Sequence, residues 1–135
     1  MAREQYGLEI NQGPSEIDSR RVHIAAKYAE AQDKAKGETF HKAVMDAYWH
    51  QARSIDDPAV LKELAESVGL NGEDFATALQ NPEFEQQVLA DVQTARDYRL
   101  DGVPALIFAD TYLVSGAQPY DVLKRVVEKV QEEQA

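Results

Sequence analysis

The 135-residue sequence contains no cysteine. That excludes structural disulfides, thiolate metal sites and any cysteine nucleophile supplied by this chain. Long apolar runs are also lacking. The longest, Val103 to Ala109, is strand-sized, far below the roughly 18 to 20 residues of a membrane span. Cations are few: fourteen Lys and Arg stand against twenty-four Asp and Glu, a formal net charge of −10. Arg20-Arg21, Lys34 and Lys36 each have acidic neighbours, so no basic patch is expected. Such a balance repels phosphate backbones and anionic headgroups, and neither nucleic acid nor a membrane is expected as a partner. Asn71-Gly72 is too isolated to make a phosphate-cradling loop. Met1 to Ile10 lacks the apolar segment and cleavage site of a secretory signal, so a cytoplasmic location is expected.

What remains is an ordinary globular composition, 44% hydrophobic and 28% charged, in a length that suits one domain. Residues 1–16 read as a lead-in segment, with a Gly-Leu-Glu-Ile piece as strand stub or loop and a turn at Asn11 to Ser15. Residues 17–100 read as a helical bundle. Asp18 or Ser19 caps a helix bearing Val22, Ala25, Ala26 and Ala29, and Gly37 ends it or starts the next loop. A second helix is expected from about Glu38 to Ala52, with Phe40, Val44, Ala47 and Tyr48 on its apolar stripe. Asp57-Pro58 starts a third, with Val60, Leu61, Leu64, Ala65 and Val68 inside and Gly69 closing it. Asn71 opens a short helix to Leu79. Asn81-Pro82 opens a longer one with Phe84, Val88, Val92 and Ala95 on one face.

After Leu100 the apolar period shortens to two. Ala105 to Ala109 and Tyr112 to Ser115 predict a hairpin around Asp110-Thr111. Gln118-Pro119 leads to a last helix with Val122, Leu123, Val126, Val127 and Val130 on one side and a frayed Gln-Glu-Glu-Gln-Ala end. The fold class is therefore mainly helical α+β, with residues 101–135 as a ββα unit packed with the bundle in one domain. A lone two-stranded hairpin is marginal and its edges want partners, so a homo-oligomer, a dimer in the simplest case, is expected.

His23, His41 and His50 are spaced by 18 and 9 residues, which gives no helical pair and no HExxH arrangement. They read as surface or packing residues, and no metal or cofactor is expected. Asp56-Asp57 ahead of Pro58 reads as a helix cap before a cation site. Glu83, Glu85 and Asp91 read as a solvated helix start and face. Ser115 and Gly116 form a possible ligand loop, weighed against a plain turn leading into the helix. Tyr48, Trp49, Tyr112 and Tyr120 read as core or interface aromatics.

The order of a helical bundle, Gly102-Val103-Pro104, an apolar strand, Tyr112-Leu-Val-Ser-Gly-Ala-Gln-Pro119 and a terminal helix resembles the DsbA-like thiol:disulfide oxidoreductases, specifically their FrnE-like branch. Asp18-Ser-Arg-Arg-Val, Ala47-Tyr-Trp and Arg53-Ser-Ile-Asp-Asp-Pro-Ala-Val-Leu61 add to the resemblance. It implies a DsbA-like helical insertion joined to the C-terminal hairpin and helix of a thioredoxin fold. It also implies that Val103-Pro104 forms a cis-proline loop facing an extended peptide or protein substrate. The family's Cys-x-x-Cys lies on an N-terminal βαβ unit that this sequence lacks, so no catalytic residue is assigned. The expectation is a redox-inactive, dimeric binding or structural module. The alternatives are an active thiol:disulfide oxidoreductase that is truncated here or completed by a missing N-terminal redox segment, and a relative of the glutathione-binding isomerases and transferases.

Overall fold

A computed structural model describes residues 2–135. The chain folds as two compact units, one running up to Asp91 and the other spanning Val92–Ala135. The first holds helices α1 (Ala2–Tyr6), α2 (Ser19–Gln32), α3 (Lys34–Trp49), α4 (Pro58–Ser67) and α5 (Gly72–Ala78), and α6 (Pro82–Asp97) runs across the division.

Short polar side chains set the helix starts. The Asp18 carboxylate accepts from the Arg20 amide at 3.0 Å and the Asp57 carboxylate from the Ala59 amide at 2.9 Å. Asn71 Oδ1 accepts from the amides of Glu73 and Asp74, and Asn81 Oδ1 from that of Glu83, all at 3.0 Å. Each cap satisfies amides that a helix start leaves unpaired and contributes about 1 kcal/mol.

Gly37, expected to end the first helix or start the next loop, instead lies inside α3, which begins at Lys34 rather than near Glu38. Asp33 does both jobs: its amide donates to the Ala29 carbonyl to close α2, and its carboxylate accepts from the Lys36 amide at 3.0 Å to open α3. Gly37 serves packing. A Cβ built there would stand 2.8 Å from Glu30 Cα, so the missing side chain lets α3 run close against α2. The same helix ends at Trp49, before Ala52, which takes φ 53°.

The core of this unit joins Phe40 and Val44 of α3, Leu61 of α4 and Phe75 of α5, all essentially inaccessible, with Ala25, Ala29, Ala47 and Ala65 where helices approach. Rings link the elements. Tyr28 lies 5.9 Å from Phe75 and 5.7 Å from Phe84, and Phe75 lies 5.8 Å from Phe40. Burial of each such side chain contributes about 1.5–3 kcal/mol.

The lead-in starts as helix α1, and its Gly7–Ile10 piece pairs with no strand. Further on, the amides of Asn11 and Gly13 donate to the carbonyls of Trp49 and Tyr48, each at 2.7 Å. Two of the carbonyls left over at the end of α3 are thereby satisfied. Tyr48 Oη donates to the Pro14 carbonyl at 3.2 Å and lies 3.1 Å from Gln12 Nε2.

In the second unit, β1 (Ala105–Phe108) and β2 (Tyr112–Ser115) pair antiparallel, Ala105 opposite Ser115 and Phe108 opposite Tyr112. Ala109, expected in the strand, joins the turn. It and Asp110 both take positive φ, 51° and 53°, while the Thr111 amide donates to the Phe108 carbonyl at 3.0 Å. Helix α7 (Tyr120–Gln134) packs against β1. It continues through the expected frayed end, where Glu133 accepts from Tyr112 Oη at 2.6 Å. Lys129 Nζ sits 4.9 Å from the Tyr112 ring centroid. Val114 is the buried hydrophobic residue of this unit, and none of α7 is fully covered. No helix among the described residues is long and apolar enough to cross a membrane.

Candidate functional site: the Val103–Pro104 loop

Helix α6 stops where Arg99 takes φ 56° and the Leu100 amide folds back to the Ala95 carbonyl at 3.0 Å. The chain then passes through Asp101 and Gly102 to a cis peptide bond between Val103 and Pro104. Val103 is 93% exposed. Immediately after it, the Pro104 carbonyl accepts from the Gly116 amide at 2.8 Å, extending the hairpin pairing one step beyond Ala105 and Ser115.

Gly116 has φ 73°, a region L side chains avoid, and a Cβ there would meet nothing within 4 Å. The requirement for glycine is one of backbone conformation and not of space. Gln118 Nε2 donates to the Ser115 carbonyl at 2.8 Å and folds the loop on itself before Pro119, the residue at the cap of α7. The hairpin thus brings all four candidate residues, Val103, Pro104, Ser115 and Gly116, to one end of the unit.

The other polar candidates are accounted for locally. His23 and His41 are exposed. His50 Nδ1 pairs with Asp46 Oδ1 at 2.7 Å, and that contact, with Gln51 beside it, lowers the Asp46 pKa. Asp57 is a helix cap. Asp56 accepts from the Asp18 amide at 3.1 Å, which holds its carboxyl below the ordinary carboxylate range. Glu85 faces Arg20 at 3.6 Å and Asp91 faces Lys27 at 2.6 Å. Among the described residues no group of three or more His, Cys, Asp or Glu could hold a metal ion. A cavity of about 350 Å³ opens between α2 and α3, lined by the charged or titratable side chains of Glu30, Lys34, Glu38, His41 and Lys42 beside Ala26 and Gly37. Of the four aromatics, Tyr48 and Trp49 touch edge to face at 4.9 Å, Tyr112 is tied to Glu133, and Tyr120 is 75% exposed. Of the core and interface readings for Tyr120, its exposure excludes the core.

A mainly helical α+β chain with a cis-proline hairpin and a closing helix has a thioredoxin-type fold. The chain matches the model of the DSBA-like thioredoxin domain over residues 1–128 and belongs to that family, which is related to the disulfide oxidoreductases. It is 28% identical over 133 residues to the uncharacterized Bacillus subtilis protein YwbO, an alignment covering 92% of this chain and 62% of YwbO. It is 26% identical over 120 residues to the ClpXP adapter protein SpxH of Shouchella clausii, covering 84% of this chain and 40% of SpxH. Its fold matches the crystal structure of a candidate protein disulfide isomerase from Nitrosomonas europaea with a TM-score of 0.78 at 20% identity, covering 98% of this chain and 70% of that one. The chain thus spans 40% and 62% of the lengths of these two curated relatives.

Proposed function

We propose that this chain, a FrnE-like member of the family, is a polypeptide-binding module that carries out no thiol–disulfide exchange by itself. The observation that carries the reading is the exposed Val103 ahead of the cis bond to Pro104, in a chain without a single cysteine. An extended backbone can hydrogen-bond alongside such a loop in the manner of an added strand. Disulfide exchange, by contrast, needs an attacking thiolate. The adapter name carried by SpxH describes a protein that acts by binding, and supports a binding role here. An insulin-reduction assay tests the redox half: thiol-dependent turnover by this chain alone would overturn it.

The binding module acts as a dimer. The sheet has only two strands, each with an unpaired outer edge among the described residues, and Leu106 and Leu113 are more than two-fifths exposed. Light scattering at micromolar concentration is expected to give twice the chain mass, and a clean monomer would sink the dimer.

A second reading is favoured by the coverage of the relatives. In it the same loop is the substrate side of an active oxidoreductase whose Cys-x-x-Cys segment precedes it or comes from another chain. An in-frame Cys-x-x-Cys after an apolar strand in the coding sequence upstream of Met1 would support this reading over the first.

A further inference from the structure

Val103 and Tyr120 are the two most exposed large hydrophobic residues described in the chain, at 93% and 75%. They lie in the same unit and at the same end of it. Val103 precedes the first residue of β1 by two positions, and Tyr120 opens α7 five positions after the last residue of β2. The bond from the Gly116 amide to the Pro104 carbonyl, 2.8 Å, holds the two connecting loops side by side. The Gln118 side chain donates back to the Ser115 carbonyl at 2.8 Å within the loop that leads to Tyr120. A large apolar side chain left in water forgoes the stabilisation that burial would return. Two at one loop end therefore mark an interaction surface.

Charge narrows the occupant. Asp101 lies two residues before Val103 and Asp121 directly follows Tyr120; both are exposed, and no ion pair to either side chain forms among the described residues. Arg99 is the nearest cation in sequence on the Val103 side; on the Tyr120 side Lys124 pairs with Glu128 and Arg125 Nε donates to the Asp121 carbonyl at 3.2 Å, which leaves the Asp121 carboxylate itself without an ion pair among the described residues. The net charge of −10 adds a long-range preference of the same sign.

We propose that Val103 and Tyr120 together select extended polypeptide segments in which an apolar side chain is flanked by Lys or Arg. The apolar side chain lies against the valine and the tyrosine ring, and the flanking cations face Asp101 and Asp121. The inference rests on the binding reading above and adds a sequence preference and a residue, Tyr120, to it. Tyr120 acts here through its ring face and needs no hydroxyl partner.

The test uses the full chain and three fluorescein-labelled unstructured peptides of equal length, read by anisotropy at low and high salt. One carries phenylalanine between lysines, one serine between lysines, and one phenylalanine between glutamates. The first is expected to bind about tenfold more tightly than the second, and to weaken with salt. Tyr120→Ser is expected to abolish that preference while Tyr120→Phe retains it; both changes are at an exposed position, and unchanged far-UV circular dichroism checks the fold. Equal binding of the phenylalanine and serine peptides, or an unaffected Tyr120→Ser, overturns the selectivity while leaving peptide binding itself standing. Equal binding of the lysine and glutamate peptides overturns the charge preference. Failure of all three peptides to bind overturns this inference and the binding reading together.

Discussion

The Gly116 amide and the Pro104 carbonyl meet at 2.8 Å, one step past the last strand pair. That single bond ties the turn leading to α7 to the cis-proline loop, so the backbone of one sets the position of the other. Because φ at Gly116 is 73° with open space around its missing side chain, Gly116→Ala is penalised through the backbone alone. The expected loss is about 1–2 kcal/mol, read by urea denaturation, and Gly116→Asn should lose less. A loss-free alanine variant would show that the loop relaxes to negative φ.

Gly37 sets two effects against each other. Alanine is the better helix former by about 1 kcal/mol, yet its methyl would stand 2.8 Å from Glu30 Cα. The neighbour is main chain, which cannot swing aside, so overpacking of about 1–3 kcal/mol should win. Gly37→Ala is therefore expected to lower the thermal midpoint, against the helix-propensity expectation.

Acid should loosen the helical unit through Asp56 and Asp46. Hydrogen bonds from the Asp18 amide and from His50, respectively, lower both pKa values in the folded chain. Groups depressed on folding contribute stability above their unfolded values, near 4, and lose it as pH falls through the lower folded values. Urea midpoints should thus fall as pH drops from about 4, and Asp56→Asn should flatten that fall. A midpoint that does not respond to pH in this window would contradict the assignment.

Hydrogen exchange should separate the two units. The first encloses Phe40, Phe75, Leu61 and Val44, whereas the second buries Val114 and no residue of α7. Amides of α3 and α4 are expected to exchange at least tenfold more slowly than those of β1 and β2. Equal protection would mean that something else covers the hairpin.

The helix starts were legible in the sequence because Asp18, Asp57, Asn71 and Asn81 act within three residues of themselves, on their own backbone neighbours. Gly37 was not, since a glycine that ends a helix and one that admits a neighbouring helix look alike until Glu30 is seen beside it. Asp33, closing one helix and opening the next, hid for the same reason. The Val103–Pro104 turn and the Ser115–Gly116 loop could be named from their residue types, but the bond that joins them spans twelve residues, Pro104 to Gly116, and depends on hairpin register. Exposure of Tyr120 depends on tertiary packing and leaves no local trace.

The rings of Phe40, Phe75, Tyr28 and Phe84 form an unbroken series from α3 through α5 and α2 to the start of α6. No helix in that series can leave without stripping a ring from its neighbour. Cooperativity follows: these four helices should melt in one transition, and the start of α6 should hold its structure as long as the core does.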